Sequence, residues 1–218
     1  MSDTEKLYSF ATALEGLKKI ERWRGQFFWK EYPQPHWYES VADHSWRLTM
    51  LVLMMAPRLS QKIDLEKALK MALIHDIAEI ITGDESPLGE DGTGKSTHAF
   101  DERLAQEKME RETQAVRQLF SQLPESDAKE FYDLWLEAEQ KVSFEAKVVK
   151  ALDKLEATLQ ALEYSDGVLY KEHFEFSIKY SMKYADVDPA IKSFGDEIVQ
   201  KMTERFKEFT PSTLTKNG

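Results

Sequence analysis

The chain of 218 residues has no cysteine. That excludes a disulfide framework and thiolate metal ligation, so any metal must be held by His, Asp or Glu. No apolar run approaches the roughly 20 residues needed for a membrane-spanning helix. The opening "MSDTEKLYSF" lacks the basic-then-apolar order of a secretory signal. A cytoplasmic protein with no membrane partner is therefore expected. Positive charge is also short: 29 Lys and Arg face 39 Asp and Glu, for a net charge of −10. This speaks against a nucleic acid polymer as partner, since that needs clustered positive charge. A small anionic ligand stays compatible, because a metal ion and one or two basic side chains reverse the sign locally.

What is present is ordinary globular composition, 42% hydrophobic and 31% charged. Periodicity is helical almost throughout, with no strand series, repeat or low-complexity segment. The expectation is an all-α, single-domain helical bundle over residues 1–210, with 211–218 as a flexible tail. Asp3 or Thr4 can cap a first helix carrying Leu7, Phe10, Leu14 and Leu17. Pro33 and Pro35 break the aromatic stretch "RWRGQFFWKEYPQPHWYES" into an extended connection. Ser40 with Asp43 three positions on is a capping-box variant for a helix carrying Trp46, Met50, Leu51, Leu53 and Met54. Asp64 caps the next, which runs through Leu69, Leu73 and Ile77 and stops near Gly83. Further helices are expected at about 98–121, 125–140, 143–163, 174–185 and 188–208. Between them "GDESPLGEDGTGKST", residues 83–97, is the longest turn-rich segment.

The chemistry concentrates in "ALIHDIAEIITGDESP", residues 72–87. His75, Asp76 and Glu79 interrupt an otherwise apolar helix and share adjoining parts of one face, with Asp84 just beyond Gly83. A carboxylate beside an imidazole in apolar surroundings needs compensation, either a hydrogen-bond network or a bound ion. His44, in "SVADHSWRL", adjoins what reads as the packed side of its helix and on its own reads first as a satisfied structural histidine. Asp153 adjoins the stripe Val148, Leu152, Leu155, Leu159 and Leu162 and on its own reads first as a solvated helix-face acid. Two histidines and two aspartates suit Mn²⁺, Co²⁺, Mg²⁺, Fe²⁺ or Zn²⁺.

The order His44, His75-Asp76, Asp153 resembles that of the HD-domain metal-dependent phosphohydrolases. The blocks "ERW", "ADHS", "HDIAEIITGD" and "LWLEAEQKVSFEAKVVKALDKLE" through "ATLQALEY" are similar to the 5′-deoxynucleotidase branch, including the HD domain-containing protein 2 group. The resemblance spans residues 15–165. It implies an HD-type bundle and a metal-dependent phosphomonoesterase releasing phosphate from (deoxy)nucleoside 5′-monophosphates. It makes His44, His75, Asp76 and Asp153 the metal ligands. Glu79 and Asp84 become the acids that assist the attacking water and the leaving group, or hold a second ion. Arg22 would orient the phosphate and Trp23 would lie near the sugar. One departure is visible: Glu85-Ser86-Pro87-Leu88 replaces the Leu-Pro-Thr-Pro of the bacterial deoxynucleotidases, on the nucleotide side of the motif. A homodimer is expected, as relatives of the branch often form one, with Phe27 to Trp37 at its interface or closing the core. The alternatives are an HD hydrolase for another phosphorylated metabolite, or a non-catalytic regulatory protein with the metal as a structural pin. Lys95 and Lys108 read first as solvated, with approach to a phosphate as the alternative, and His36, His98 and His173 as loop or surface residues.

Overall fold

The computed structural model of the chain describes residues 1–23, 37–89, 93–164 and 171–209. Residues 24–36 of the proline-broken aromatic stretch, with His36 and all of Phe27–Trp37 but Trp37, and residues 211–218 lie outside the described residues.

Helix α1 (Asp3–Ala13) opens on Ser2, not on Asp3 or Thr4. Ser2 and Glu5 form a reciprocal capping box, which satisfies two backbone groups where a lone acid would satisfy one. After a 3₁₀ turn (Leu14–Lys18), residues 20–22 run antiparallel to residues 39–41. Arg22 N–H donates to the Glu39 carbonyl at 2.8 Å and Val41 N–H to the Ile20 carbonyl at 3.0 Å. Helix α2 (Val41–Met55) then starts on the expected Ser40–Asp43 box. Helix α3 (Leu65–Ile74) starts on Asp64 as its cap and ends at Ile74, short of the expected Gly83. Residues 75–78 are a turn, and a short helix α4 (Glu79–Thr82) follows. Through the turn the bonds shorten to the i→i−3 pattern, Ile77 to Ile74 and Glu79 to Asp76.

Helix α5 (Glu102–Phe120) is capped by Asp101, so residues 98–101 stay in the loop. Helices α6 (Glu125–Gln140), α7 (Phe144–Tyr164) and α9 (Pro189–Phe209) match expectation within a residue. Helix α8 (Lys171–Met182) sits three residues earlier than its pattern suggested. Helices α2, α3 and α7 pack mutually, with α6, α8 and α9 against α7. Their main core joins Leu48, Val52, Met71, Ala72, Val148, Leu152, Leu155 and Ile191. A second core gathers Phe10, Val41, Ile77, Phe120 and Trp135, so the two cores flank the 75–78 turn. Trp135 Nε1 donates to the His75 carbonyl at 3.1 Å, which satisfies a carbonyl freed by the helix break.

Helix α2 presents a different side from that its apolar residues suggested. Val41, His44, Leu48, Leu51, Val52 and Met55 face inward, whereas Trp46 is 66% exposed and Met50, Leu53 and Met54 are exposed with it.

Candidate metal centre and active site

Three elements meet at one point. α2 brings His44, the turn after α3 brings His75 and Asp76, and α7 brings Asp153. His44 Nε2 lies 3.3 Å from His75 Nε2, 3.6 Å from Asp76 Oδ2 and 3.4 Å from Asp153 Oδ1. His75 Nε2 is 3.0 Å from Asp76 Oδ2. Donors about 2.1 Å from a common ion stand roughly 3.0 Å apart at octahedral corners and about 3.4 Å apart at tetrahedral ones. His44, His75 and Asp153 bring donor atoms within 4.8 Å of one another, close enough to hold one ion, and Asp76 Oδ2 stands beside the two imidazole nitrogens. Glu39, His44 and Glu156 also stand close enough to be a second donor set, but Arg22 and Arg47 already neutralise both acids there.

The ring orientations are fixed from behind. His75 Nδ1 is 3.0 Å from the Ala72 carbonyl, to which it donates, leaving Nε2 to accept or ligate. His44 Nδ1 contacts Glu156 Oε2. Glu156 is in turn held by Arg47 Nε at 2.6 Å. Burial and Arg22 push the His44 imidazole down, but Glu156 and Asp153 outweigh them and raise it to about 9. Burial opposes the charge on Asp76, yet His75 and His44 hold it below the carboxylate range. Burial likewise opposes charge on Asp153, while Lys154, Lys150 and His44 keep it well below. Both acids are thus ionised donors.

A cavity of about 400 Å³ opens beside this cluster, lined by Arg22, Asp76, Glu79, Asp84, Lys150 and Lys154 among others. Burial and the charges of Asp76 and Asp84 push the Glu79 carboxyl well up. Its Oε2 is buried without a hydrogen-bond partner among the described residues, the kind of atom that a ligand, water or ion completes. Asp84 is raised by burial, with Arg22 pulling it back, and accepts from the Trp23 backbone N–H. Gly83, at φ 75° and ψ 164°, turns the chain out of α4 to place Asp84 there. Arg22 donates to Glu39 at 2.8 Å and lies 3.6 Å from Glu156. Those acids outweigh its burial and keep it charged.

Of the residues singled out from sequence, His44, His75, Asp76 and Asp153 converge, and Glu79, Asp84 and Arg22 line the adjoining cavity. Trp23 stands beside Arg22, whose guanidinium is 5.7 Å from its ring, and packs on Leu88, Ala99 and Phe176 rather than lining the cavity. One histidine and one lysine reading change. His173 is buried within α8, neither loop nor surface, whereas His98 lies in the loop as expected and there lines the cavity. Lys108 is no solvated lysine: it pairs with Glu112 at the cavity edge. Lys95 is exposed, as expected. Glu39, Glu156 and Arg47 are new. The one signal for Glu156 was its position three residues after Asp153, inside the apolar stripe of α7.

Residues 15–194 match the family model described as HD domain. The chain is 38% identical to the 5′-deoxynucleotidase HDDC2 of Mus musculus over 69% of its own length and 71% of that protein's. With the 5′-deoxynucleotidase HDDC2 of Danio rerio it shares 34% identity over 88% of each chain. Among solved structures, the "predicted metal-dependent phosphohydrolase" of Magnetospirillum magnetotacticum MS-1 superposes with a TM-score of 0.72 at 25% identity, covering 94% of both chains.

Proposed function

The chain belongs to the HD-domain family, and from that premise we propose that it is a 5′-deoxynucleotidase, releasing phosphate from (deoxy)nucleoside 5′-monophosphates. The observation that carries this reading is the convergence of His44, His75, Asp76 and Asp153 at the floor of a cavity lined by Glu79, Asp84 and Arg22. In this reading the four are the ligands of one divalent ion (Mn, Co, Mg, Fe or Zn), with Glu79 and Asp84 available to a second. Such an ion supplies charge that stabilises the phosphate in the transition state and lowers the proton affinity of water.

The chain's own groups divide the remaining work. Arg22 holds a planar guanidinium at the cavity wall, preoriented by Glu39, to meet phosphate oxygens. Asp84 accepts a hydrogen bond from the attacking water, whose oxygen bonds to phosphorus as the bond to the sugar O5′ breaks. Glu79, its carboxyl raised by burial and by two neighbouring acids, carries the proton that O5′ takes as it leaves. Trp23 backs Arg22 from one layer behind the cavity wall and reaches the sugar side only through it. The Glu85–Leu88 segment, with Pro87 in the cavity wall, sets the fit to the nucleoside. The unit that does this extends over residues 1–210, with 211–218 as a tail, and works in the cytoplasm as a homodimer. No helix among the described residues is long and apolar enough to cross a membrane. An exposed apolar face on α2 is available for pairing.

The test is phosphate release from dAMP, dGMP, dCMP, TMP and dUMP by chelator-stripped protein given back Mn²⁺, Co²⁺ or Mg²⁺. Activity should return with metal. Asp76→Ala and His75→Ala should each lower kcat about a thousand-fold or more, as the loss of several kcal/mol of charge stabilisation requires. Full turnover in either variant overturns the assignment. Turnover confined to a different phosphorylated metabolite replaces the substrate and leaves the chemistry.

A further inference from the structure

We propose that Lys150 and Lys154 form a second phosphate-receiving wall of the cavity, on α7 and separate from Arg22. This inference rests on the phosphohydrolase reading above and assigns which cations meet the substrate.

The two lysines are spaced i, i+4 on α7, where like charges repel. Their Nζ atoms nevertheless converge, lying 3.2 and 3.1 Å from the same atom, Asp153 Oδ2. The other oxygen of that carboxylate, Oδ1, faces His44 Nε2 at 3.4 Å and belongs to the donor cluster. One carboxylate already shared with the ion site cannot balance two ammonium groups. Neither side chain escapes to solvent, as a lysine on a helix surface ordinarily does: they are 21% and 14% exposed. Both line the cavity instead. Tyr180 of α8 places its ring 5.2 Å from Lys154 Nζ, which holds the ammonium at the wall by a cation–π contact.

Of the other cations near the cavity, Arg22 is shared with Glu39 and Glu156, Lys108 pairs with Glu112 and Arg111 with Glu85. Lys141 Nζ donates to the Glu139 carbonyl at 2.8 Å and Lys183 Nζ lies 5.4 Å from the Tyr184 ring, and neither pairs with Asp153 among the described residues. Glu139 also lines the cavity and attracts Lys150. For Lys154, Asp153 is the one ion-pair partner among the described residues. The balance of charge points the same way. Two positive charges on an ion are offset by the carboxylates of Asp76 and Asp153. A phosphomonoester dianion then faces the Asp84 carboxylate with Arg22, itself shared with Glu39 and Glu156, as its one guanidinium partner, and Lys150 and Lys154 supply the further positive charge. Lys154 carries the larger part, because Glu139 takes part of the charge of Lys150.

The experiment uses the full chain loaded with Mn²⁺ and reads three quantities: binding of inorganic phosphate by calorimetry, KM for dAMP, and bound metal by elemental analysis. Lys154→Met should weaken phosphate binding and raise KM about tenfold or more, the loss of one charge-assisted contact. The double Lys150→Met, Lys154→Met variant should lose more. Bound metal should be retained in both, since Asp153 then has fewer cations competing for it. Lys154→Arg should restore phosphate binding to within about threefold, because it returns the charge. Should the double variant fail to fold, Lys154→Gln takes the same three readouts. Unchanged phosphate binding and KM with metal retained overturn the proposal. So does loss of metal in the methionine variants, which would make the lysines supports of Asp153 alone. The two readings fail separately. Lysine-dependent phosphate binding without dAMP turnover keeps the wall and removes the nucleotidase, whereas dAMP turnover indifferent to both lysines does the reverse.

Discussion

A neutral imidazole offers one lone pair, and the hydrogen bond at one ring nitrogen decides which nitrogen carries it. At His44 that decision is made by Glu156, whose Oε2 contacts Nδ1 and leaves Nε2 facing the donor cluster. Second-layer carboxylates of this kind typically change metal affinity by about 10- to 100-fold. Glu156→Gln is expected to weaken Mn²⁺ or Co²⁺ binding by that order in a chelator competition, and unchanged affinity would remove Glu156 from the role. The same pair has a pH signature in the metal-free protein. Glu156 is buried, which opposes its charge, but His44, Arg22 and Arg47 pull it down to about 2 from 4.5. Its contribution is therefore present above pH 4.5 and lost as pH falls toward 2. His44 is raised from 6.5 to about 9, so its contribution is full below pH 6.5 and lost as pH rises through 9. The melting-temperature difference between wild type and Glu156→Gln, without metal, should be widest between pH 4.5 and 6.5 and narrow on both sides. The sequence made His44 and Asp153 visible as candidates because His and Asp are ligand types. Glu156 was not, because an acid on a helix is solvated by default and only tertiary packing shows that its side faces inward.

At the scale of elements, caps were the most legible feature, because Ser40–Asp43 and Asp64 act on backbone groups within three residues of themselves. The break at His75 was not legible. Ala-Leu-Ile before it and Ile-Ala-Glu-Ile-Ile after it both suit a helix, and the group that satisfies the carbonyl freed at the turn is Trp135, 60 residues later in the chain. The exit of α4 was read as a stop near Gly83, and its geometry makes that glycine a requirement. At φ 75° and ψ 164° Gly83 occupies a region that an L side chain enters only under strain. An added Cβ there meets nothing within 4 Å, so the cost of Gly83→Ala is conformational and not steric. The variant should lose about 1–3 kcal/mol of stability in denaturant unfolding, or relax its backbone and displace Asp84. In the second case kcat should fall with bound metal retained. Wild-type stability together with wild-type kcat would contradict the requirement.

For the molecule as a whole, composition and periodicity fixed the helical class, yet they could not say which side of α2 faces out. Trp46, Met50, Leu53 and Met54 satisfy an i, i+4, i+7, i+8 stripe and would be assigned to the core on that ground. The core takes the opposite side because His44 must reach His75 and Asp153, and the rotation that buries His44 turns Trp46 outward. The stripe is left beside an apolar cavity of about 470 Å³ whose lining includes Leu14, Trp46, Leu73, Phe131 and Leu134, with Leu14 and Leu73 also exposed. A contiguous apolar surface of this kind marks an association site in most folded proteins, and an aromatic anchor beside a cavity is the usual centre of one. If a second copy covers it, the pairing buries Trp46 against its counterpart surface, and charge placed there opposes association. Wild type is expected to run as a dimer in size-exclusion chromatography with light scattering at micromolar concentration. Trp46→Glu and Leu53→Glu should each shift it toward monomer, with the dissociation constant raised about thirtyfold or more for the tryptophan, as the loss of a ~2 kcal/mol anchor implies. Leu53→Glu is the cleaner of the two, being nine residues along α2 from His44, and its monomer should keep its bound metal. A wild type that is monomeric across the concentration range, or a dimer that both substitutions leave intact, would place the interface elsewhere or remove it.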